Sequence, residues 1–163
     1  MIQELVASAA VAVAAWFVVN FVGKPVVALQ KERIAALQTA ERYYTVDGGA
    51  SDEVRDAAEK ALFETGTTLR AYQRGWSTAV RLWCWVWGYD LGLAAQAMFG
   101  LADSARGTVL FPPDVRKNTL NAIYVALGAH QHLAPETVAS IKQMIVQARS
   151  APIAPAHADG APS

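Results

Sequence analysis

The sequence is short of the residues that carry chemistry. Cys84 is the single cysteine in 163 residues, which excludes an internal disulfide and a metal site built from cysteines alone. Of three histidines, His157 falls in a proline- and alanine-rich stretch near the C-terminus. His130, His132 and Glu136 are therefore the one cluster with metal-ligand chemistry, and neither a fourth ligand nor an orienting group accompanies them. They read as imidazoles exposed at a helix C-terminus. No Gly-x-Ser-x-Gly elbow, no Walker-type phosphate loop and no strand-turn-helix context is found. Cys84, set among tryptophans, reads as a small buried hydrophobe. The expectation is a protein that is not an enzyme and holds no metal or cofactor.

Net charge is lacking too. Fourteen basic residues balance fourteen acidic ones, so no overall field points to nucleic acid. What the chain has instead is apolar residues: 53% are hydrophobic and only 17% charged, an excess for a soluble domain.

The first source of that excess is Leu5 to Val22, eighteen residues without a charge. At roughly 1.5 Å per residue the run reaches about 27 Å, enough for a membrane-spanning helix. Val26 and Val27 extend it if Lys24 snorkels its ammonium to the headgroups. Glu4 is the sole charge ahead of the run, whereas Lys24, Lys31 and Arg33 come after it, which places the N-terminus outside and the rest in the cytoplasm. A cleaved signal peptide would need a basic residue before the run. Residues 1–24 are thus read as an anchor, with Gly23 to Pro25 as the joint between anchor and cytoplasmic domain.

Past the joint the period is helical throughout. Val26, Leu29, Ile34, Leu37 and Tyr44 share a broad stripe, with Lys24, Lys31, Gln38 and Arg42 on another. A turn at 46–51 comes next, with Ser51 or Asp52 as cap. A second arm then buries Val54, Ala58, Ala61, Leu62, Thr65, Leu69 and Tyr72 against the first, leaving Phe63 off the stripe.

The second source of apolarity is residues 76–102, broken at Gly88, Tyr89 and Asp90. A second crossing would bury Arg81 and Asp90 between basic flanks, so two short helices are expected, with Asp90 capping the second. In the first of them Trp76, Val80, Trp83 and Trp87 share one face, and Arg74, Thr78, Arg81 and Trp85 the other. Two readings compete. Either Trp76, Trp83 and Trp87 fill the bundle core, or the helix lies in the membrane interface with Trp85 at headgroup depth and Arg81 on phosphates. Arg81 and Trp85 are also spaced for a cation–π contact.

Asp114 is expected to cap a helix bearing Leu120, Ile123, Tyr124 and Leu127, and Pro135 to open a last helix with Val138, Ile141, Ile145 and Ala148 inward. Residues 150–163 read as a disordered tail. The fold class is therefore all-α: an N-terminal transmembrane helix continuing into a small cytoplasmic helical domain over 25–149.

The apolar N-terminus with its proline joint, the helical hairpin, the Gly88-Tyr89-Asp90 turn with Gly100-Leu101 beyond it, and a late helix near Arg116 and Lys117 together resemble a group of uncharacterised bacterial single-pass inner-membrane proteins. In that group a proline commonly follows the turn aspartate, where this chain has Leu91. The resemblance implies a helical protein at the bacterial inner membrane and brings no catalytic residue with it. The expected function is binding: a membrane-anchored interaction or scaffold protein with a protein partner or a second copy of itself. The alternative is a lipid-facing envelope or bilayer-stress protein that inserts its Trp-rich segment into the cytoplasmic leaflet. Candidate contact residues are Lys24, Trp76, Arg81, Trp83, Trp85 and Trp87.

Overall fold

The computed structural model describes residues 11–75 and 78–150. Every regular element among them is helical. The first, α1, runs unbroken over Val11–Tyr43 and carries a π-helical turn at Val18–Gly23. Pro25 does not end it: the helix continues through the expected joint at Gly23 to Pro25, with its winding altered just ahead. Proline has no N–H to donate and its ring crowds the carbonyl four residues back, and the wider winding just ahead, where the Lys24 N–H reaches the Val19 carbonyl, takes up that mismatch. Within the apolar stretch the Asn20 side chain donates to the Trp16 carbonyl at 2.8 Å, so its amide is not left bare there. Residues 1–10, the start of the anchor, lie outside the described residues.

Five further α-helices come after it: α2 at Asp52–Arg74, α3 at Thr78–Trp87, α4 at Leu91–Arg106, α5 at Pro113–Ala126 and α6 at Pro135–Ser150. A short 3₁₀ turn, His130–His132, joins the last two. Ser51 stands at the α2 N-cap position, but its side chain makes no capping bond; Asp52 and Glu53 in the first turn complement the positive helix end instead. Asp114 likewise lies inside α5, whose N-cap is Pro112. The tail that the sequence suggests beyond Ser150 is outside the described residues, as is the side chain of Ala148.

α2 turns back along α1 as expected, yet its most extensive partner is α4. Glycines allow that approach: a Cβ on Gly66 would meet the Phe99 ring at 2.8 Å, and one on Gly92 would meet Gln73 at 2.5 Å. The core holds Leu29, Leu62, Leu69, Met98, Leu101, Ile123 and Leu127 fully buried. Ala36 and Ala40 are buried in α1 while Ile34 is exposed, which corrects the stripe drawn from side-chain size. The close α1–α2 crossing admits methyl groups where a β-branched chain would hold the helices apart. Val54, expected on the inward stripe of α2, is also exposed. On α5 Leu120, Ile123, Tyr124 and Leu127 turn inward as expected, and α6 packs on α5 through Ile141.

Two ends of the bundle can be told apart. Gln73 lies beside Gly92, and Gly48 beside Gly107, so α2 and α4 are antiparallel. α3, next in the chain after α2, packs against α1 and its π turn. The end with Arg74 and Gly92 is therefore the one beside the apolar stretch of α1, called the anchor end for the role the sequence suggests, and the end with Gly48 and Gly107 the far one.

Candidate membrane-facing site

The site is built from the turn that closes α3. Gly88 has φ +66°, its N–H bonds to the Trp85 carbonyl at 3.3 Å, and the Tyr89 N–H reaches the Cys84 carbonyl at 2.8 Å. That pair of bonds is the Schellman termination, which favours glycine at the left-handed position. Asp90 then caps α4 by accepting from the Leu93 N–H at 3.0 Å, while its own N–H donates to the Ala126 carbonyl at 2.8 Å. The aspartate inside the apolar segment thus has the capping role expected of it.

Arg33 locks this turn to the other helices. It donates to the carbonyls of Leu127 at 2.5 Å and Gly128 at 3.3 Å and to Gln30 at 3.2 Å, and its guanidinium lies 5.0 Å from the Tyr89 ring centroid. A cation on the last carbonyls of α5 also matches that helix's negative end. α1, the Gly88–Asp90 turn and the end of α5 are therefore one fixed assembly, and α3 is held from its C-terminal end.

What α3 then presents is two unlike faces. Val80 is buried, and Trp83 and Cys84 pack against the core half-buried. Burial pushes the Cys84 thiol above its ordinary value, which keeps it protonated and unreactive near neutral pH. Leu82, Trp85, Val86 and Trp87 face outward, with Trp85 79% and Trp87 58% exposed. The core reading of this helix therefore holds for Trp83 and fails for Trp87, which ends the helix and rests its ring 5.6 Å from the Trp83 centroid rather than reaching inside. Trp76 lies outside the described residues. Arg81 and Lys24 are exposed. The cation–π contacts among the described residues are Arg33 on Tyr89 and Arg42 on Tyr43, so the spacing of Arg81 and Trp85 is not used for one.

An open slot of about 300 Å³ runs beside α3, lined by Gln73, Val80, Arg81, Cys84, Trp85 and Leu91 among others. Gln73 also lines a groove of about 410 Å³ between α2 and α4, together with Arg70, Arg74, Gly92 and Ala95 among others.

The histidine cluster does not converge. His132 sets its ring edge-on against Tyr124, centroids 4.3 Å apart, and His130 has its Nδ1 shut from solvent without a partner among the described residues. Among the described residues no group of three or more His, Cys, Asp or Glu is placed to hold a metal ion.

Sequence reasoning passed over Arg33, which it used only to orient the anchor, and Arg116, which it used as a flanking charge. Arg116 is 7% exposed, donates to the Thr45 carbonyl at 2.9 Å and pairs with Asp47 at 3.1 Å. It ties the α1–α2 loop to α5 at the far end of the bundle. No local pattern marks either arginine.

Fold and site together define a class: a helical bundle carried on one helix that is long and apolar enough to cross a membrane, with an apolar face on a neighbouring short helix. Comparison with protein-family models, with curated proteins and with solved structures returns no match.

Proposed function

We propose that this chain is a membrane-anchored helical scaffold of a bacterial inner membrane, acting by binding, with α1 crossing the bilayer, the bundle in the cytoplasm and α3 lying in the headgroup layer. The contact of α3 with Val18–Gly23 carries this reading. If α1 spans the bilayer, those residues are where it leaves the hydrocarbon, and α3 is fixed at that depth. Its outward Leu82, Trp85, Val86 and Trp87 are then where indoles and aliphatic side chains are most favoured. Lys24, Arg70, Arg74 and Arg81 at the same end have no carboxylate partner among the described residues, and favour the cytoplasmic leaflet. A protein partner has its own supporting observation: Phe63 stays 57% exposed on the side of the bundle, its ring tilted against Phe99 with centroids 5.3 Å apart.

Cysteine accessibility tests the placement. In a Cys84→Ala background, a cysteine in place of Leu110, 82% exposed at the far end, should react with an impermeant maleimide only after the cells are opened. A cysteine replacing Val86 should remain slow to react even then, and become fast in detergent. Fast labelling at position 86 in intact vesicles would remove α3 from the membrane.

A further inference from the structure

Three arginines of this bundle are answered by carboxylates, and three others that cluster at one end are answered by none among the described residues. Arg55 pairs with Asp52, Arg106 with Glu59 at 3.5 Å and Arg116 with Asp47 at 3.1 Å, all toward the far end. Arg70, Arg74 and Arg81 form no ion pair among the described residues and are exposed at the anchor end. Arg70 and Arg74 line one groove, Arg81 the slot that shares Gln73 with it. Three guanidinium groups with no ion pair among the described residues, edging two concavities that share the lining residue Gln73, can take an anion. Guanidinium forks match phosphate oxygens two at a time, and the two concavities fall in the ~300–1,000 Å³ range of small-molecule sites.

The walls select among anions. The rest of the slot's lining is largely apolar surface, Val80, Cys84, Trp85 and Leu91 with Tyr72 and Tyr89, along which methylene chains can lie; its one carboxylate, Asp90, accepts from the Leu93 N–H as the α4 cap. We propose that the two concavities lined in common by Gln73 are a binding site for one anionic phospholipid, its phosphate held by Arg70, Arg74 and Arg81 and its first acyl methylenes laid against Val80 and Trp85. This rests on the proposed seat of α3 in the headgroup layer. The site makes the protein selective for an acidic lipid, not merely adherent to the bilayer.

The test uses the full chain in lipid nanodiscs and tryptophan quenching by brominated acyl chains, the contribution of Trp85 being the difference between the wild type and Trp85→Phe. With all phosphatidylcholine brominated, Trp85 is quenched if α3 touches lipid. With one lipid in ten brominated, phosphatidylglycerol should quench Trp85 several-fold more than phosphatidylcholine at the same share. Each of R70Q, R74Q and R81Q should lower that preference by up to about fivefold, the effect of one basic residue near an anionic surface. Raising salt on the unaltered protein should lower it too, so the result does not hang on the variants' folding, and added inorganic phosphate should not compete. Equal quenching by the two lipids overturns the site while α3 stays in the membrane. Competition by free phosphate overturns it in favour of a soluble anion, and displacement of the brominated lipid by an acidic peptide in favour of a protein partner. No quenching of Trp85 by any lipid removes both this site and the seat of α3.

Discussion

At the scale of single residues, three polar side chains do more for this fold than the sequence suggests, because each works through a neighbour far away in the chain. Arg33 reaches residues 127 and 128, Arg116 reaches 45 and 47, and Tyr124 donates its hydroxyl to the Glu41 carboxylate. Periodicity shows which face a residue is on, not which distant carbonyl it will meet, so none of these bonds was legible. The Tyr124 contact has a consequence for pH. Burial first, then the Glu41 hydrogen bond and charge, push the phenol well above its ordinary value. Below about pH 10 the folded and unfolded chains both keep the proton, and the contact adds no pH dependence. Above that, the unfolded chain releases the proton and the folded one holds it, so stability falls as pH rises, by up to about 1.4 kcal/mol per pH unit. Urea unfolding in detergent at pH 8 to 11, monitored by circular dichroism, should show this extra slope in the wild type and lose it in Tyr124→Phe. Equal slopes in the two proteins would mean that the hydroxyl is not held as described.

At the scale of elements, the helices themselves were readable and their endings partly so. The 3.6-residue period gave the two arms, the break at Gly88 and the opening of α6 at Pro135, since these depend on local apolar spacing, glycine and proline. The π turn in α1 and the dominance of the α2–α4 contact were not readable, because they arise from proline meeting a continuous helix and from two glycines facing long side chains across helices. Two helix ends separate the backbone part of a cap from the packing part. Gly88 and Gly128 terminate α3 and α5 with φ of +66° and +67° and the same bonding pattern. A Cβ on Gly88 would meet nothing within 4 Å, whereas one on Gly128 would lie 2.6 Å from the Tyr89 ring. Gly88→Ala should therefore cost only the left-handed backbone term, about 1–2 kcal/mol. Gly128→Ala should cost that and more, since Tyr89 is pinned beneath Arg33 and cannot yield freely. Chemical denaturation of both variants in one detergent gives the difference directly, and equal losses would show that Tyr89 moves aside at little cost.

At the scale of the whole molecule, charge is laid out along the anchor axis although it sums to zero. Lys24, Arg70, Arg74 and Arg81 gather without an ion pair among the described residues where α1 leaves its apolar stretch, while toward the far end Asp47, Asp52 and Glu59 are answered by Arg116, Arg55 and Arg106. A balanced composition hides this, because a hairpin folds distant segments to the same level; it becomes visible only once α2 and α4 are known to run antiparallel. Such a layout draws the end with the unpaired cations to an anionic surface. It also predicts a pattern of protease attack. In vesicles containing anionic lipid, with the bundle outward, trypsin should cut after Arg70, Arg74 and Arg81 more slowly than after Arg106 and Lys117, all five being exposed in the protein alone. Detergent removes the surface but not the fold, so the difference should shrink there. Trp85→Glu with Val86→Glu puts two charges on an outward face, where substitutions change stability by about 0.5 kcal/mol or less. It should leave the detergent pattern unchanged and abolish the protection in vesicles. If the three anchor-end arginines are cut at the same rate in vesicles and in detergent, the bundle stands clear of the bilayer on its helix, and the apolar face of α3 must be covered by protein instead.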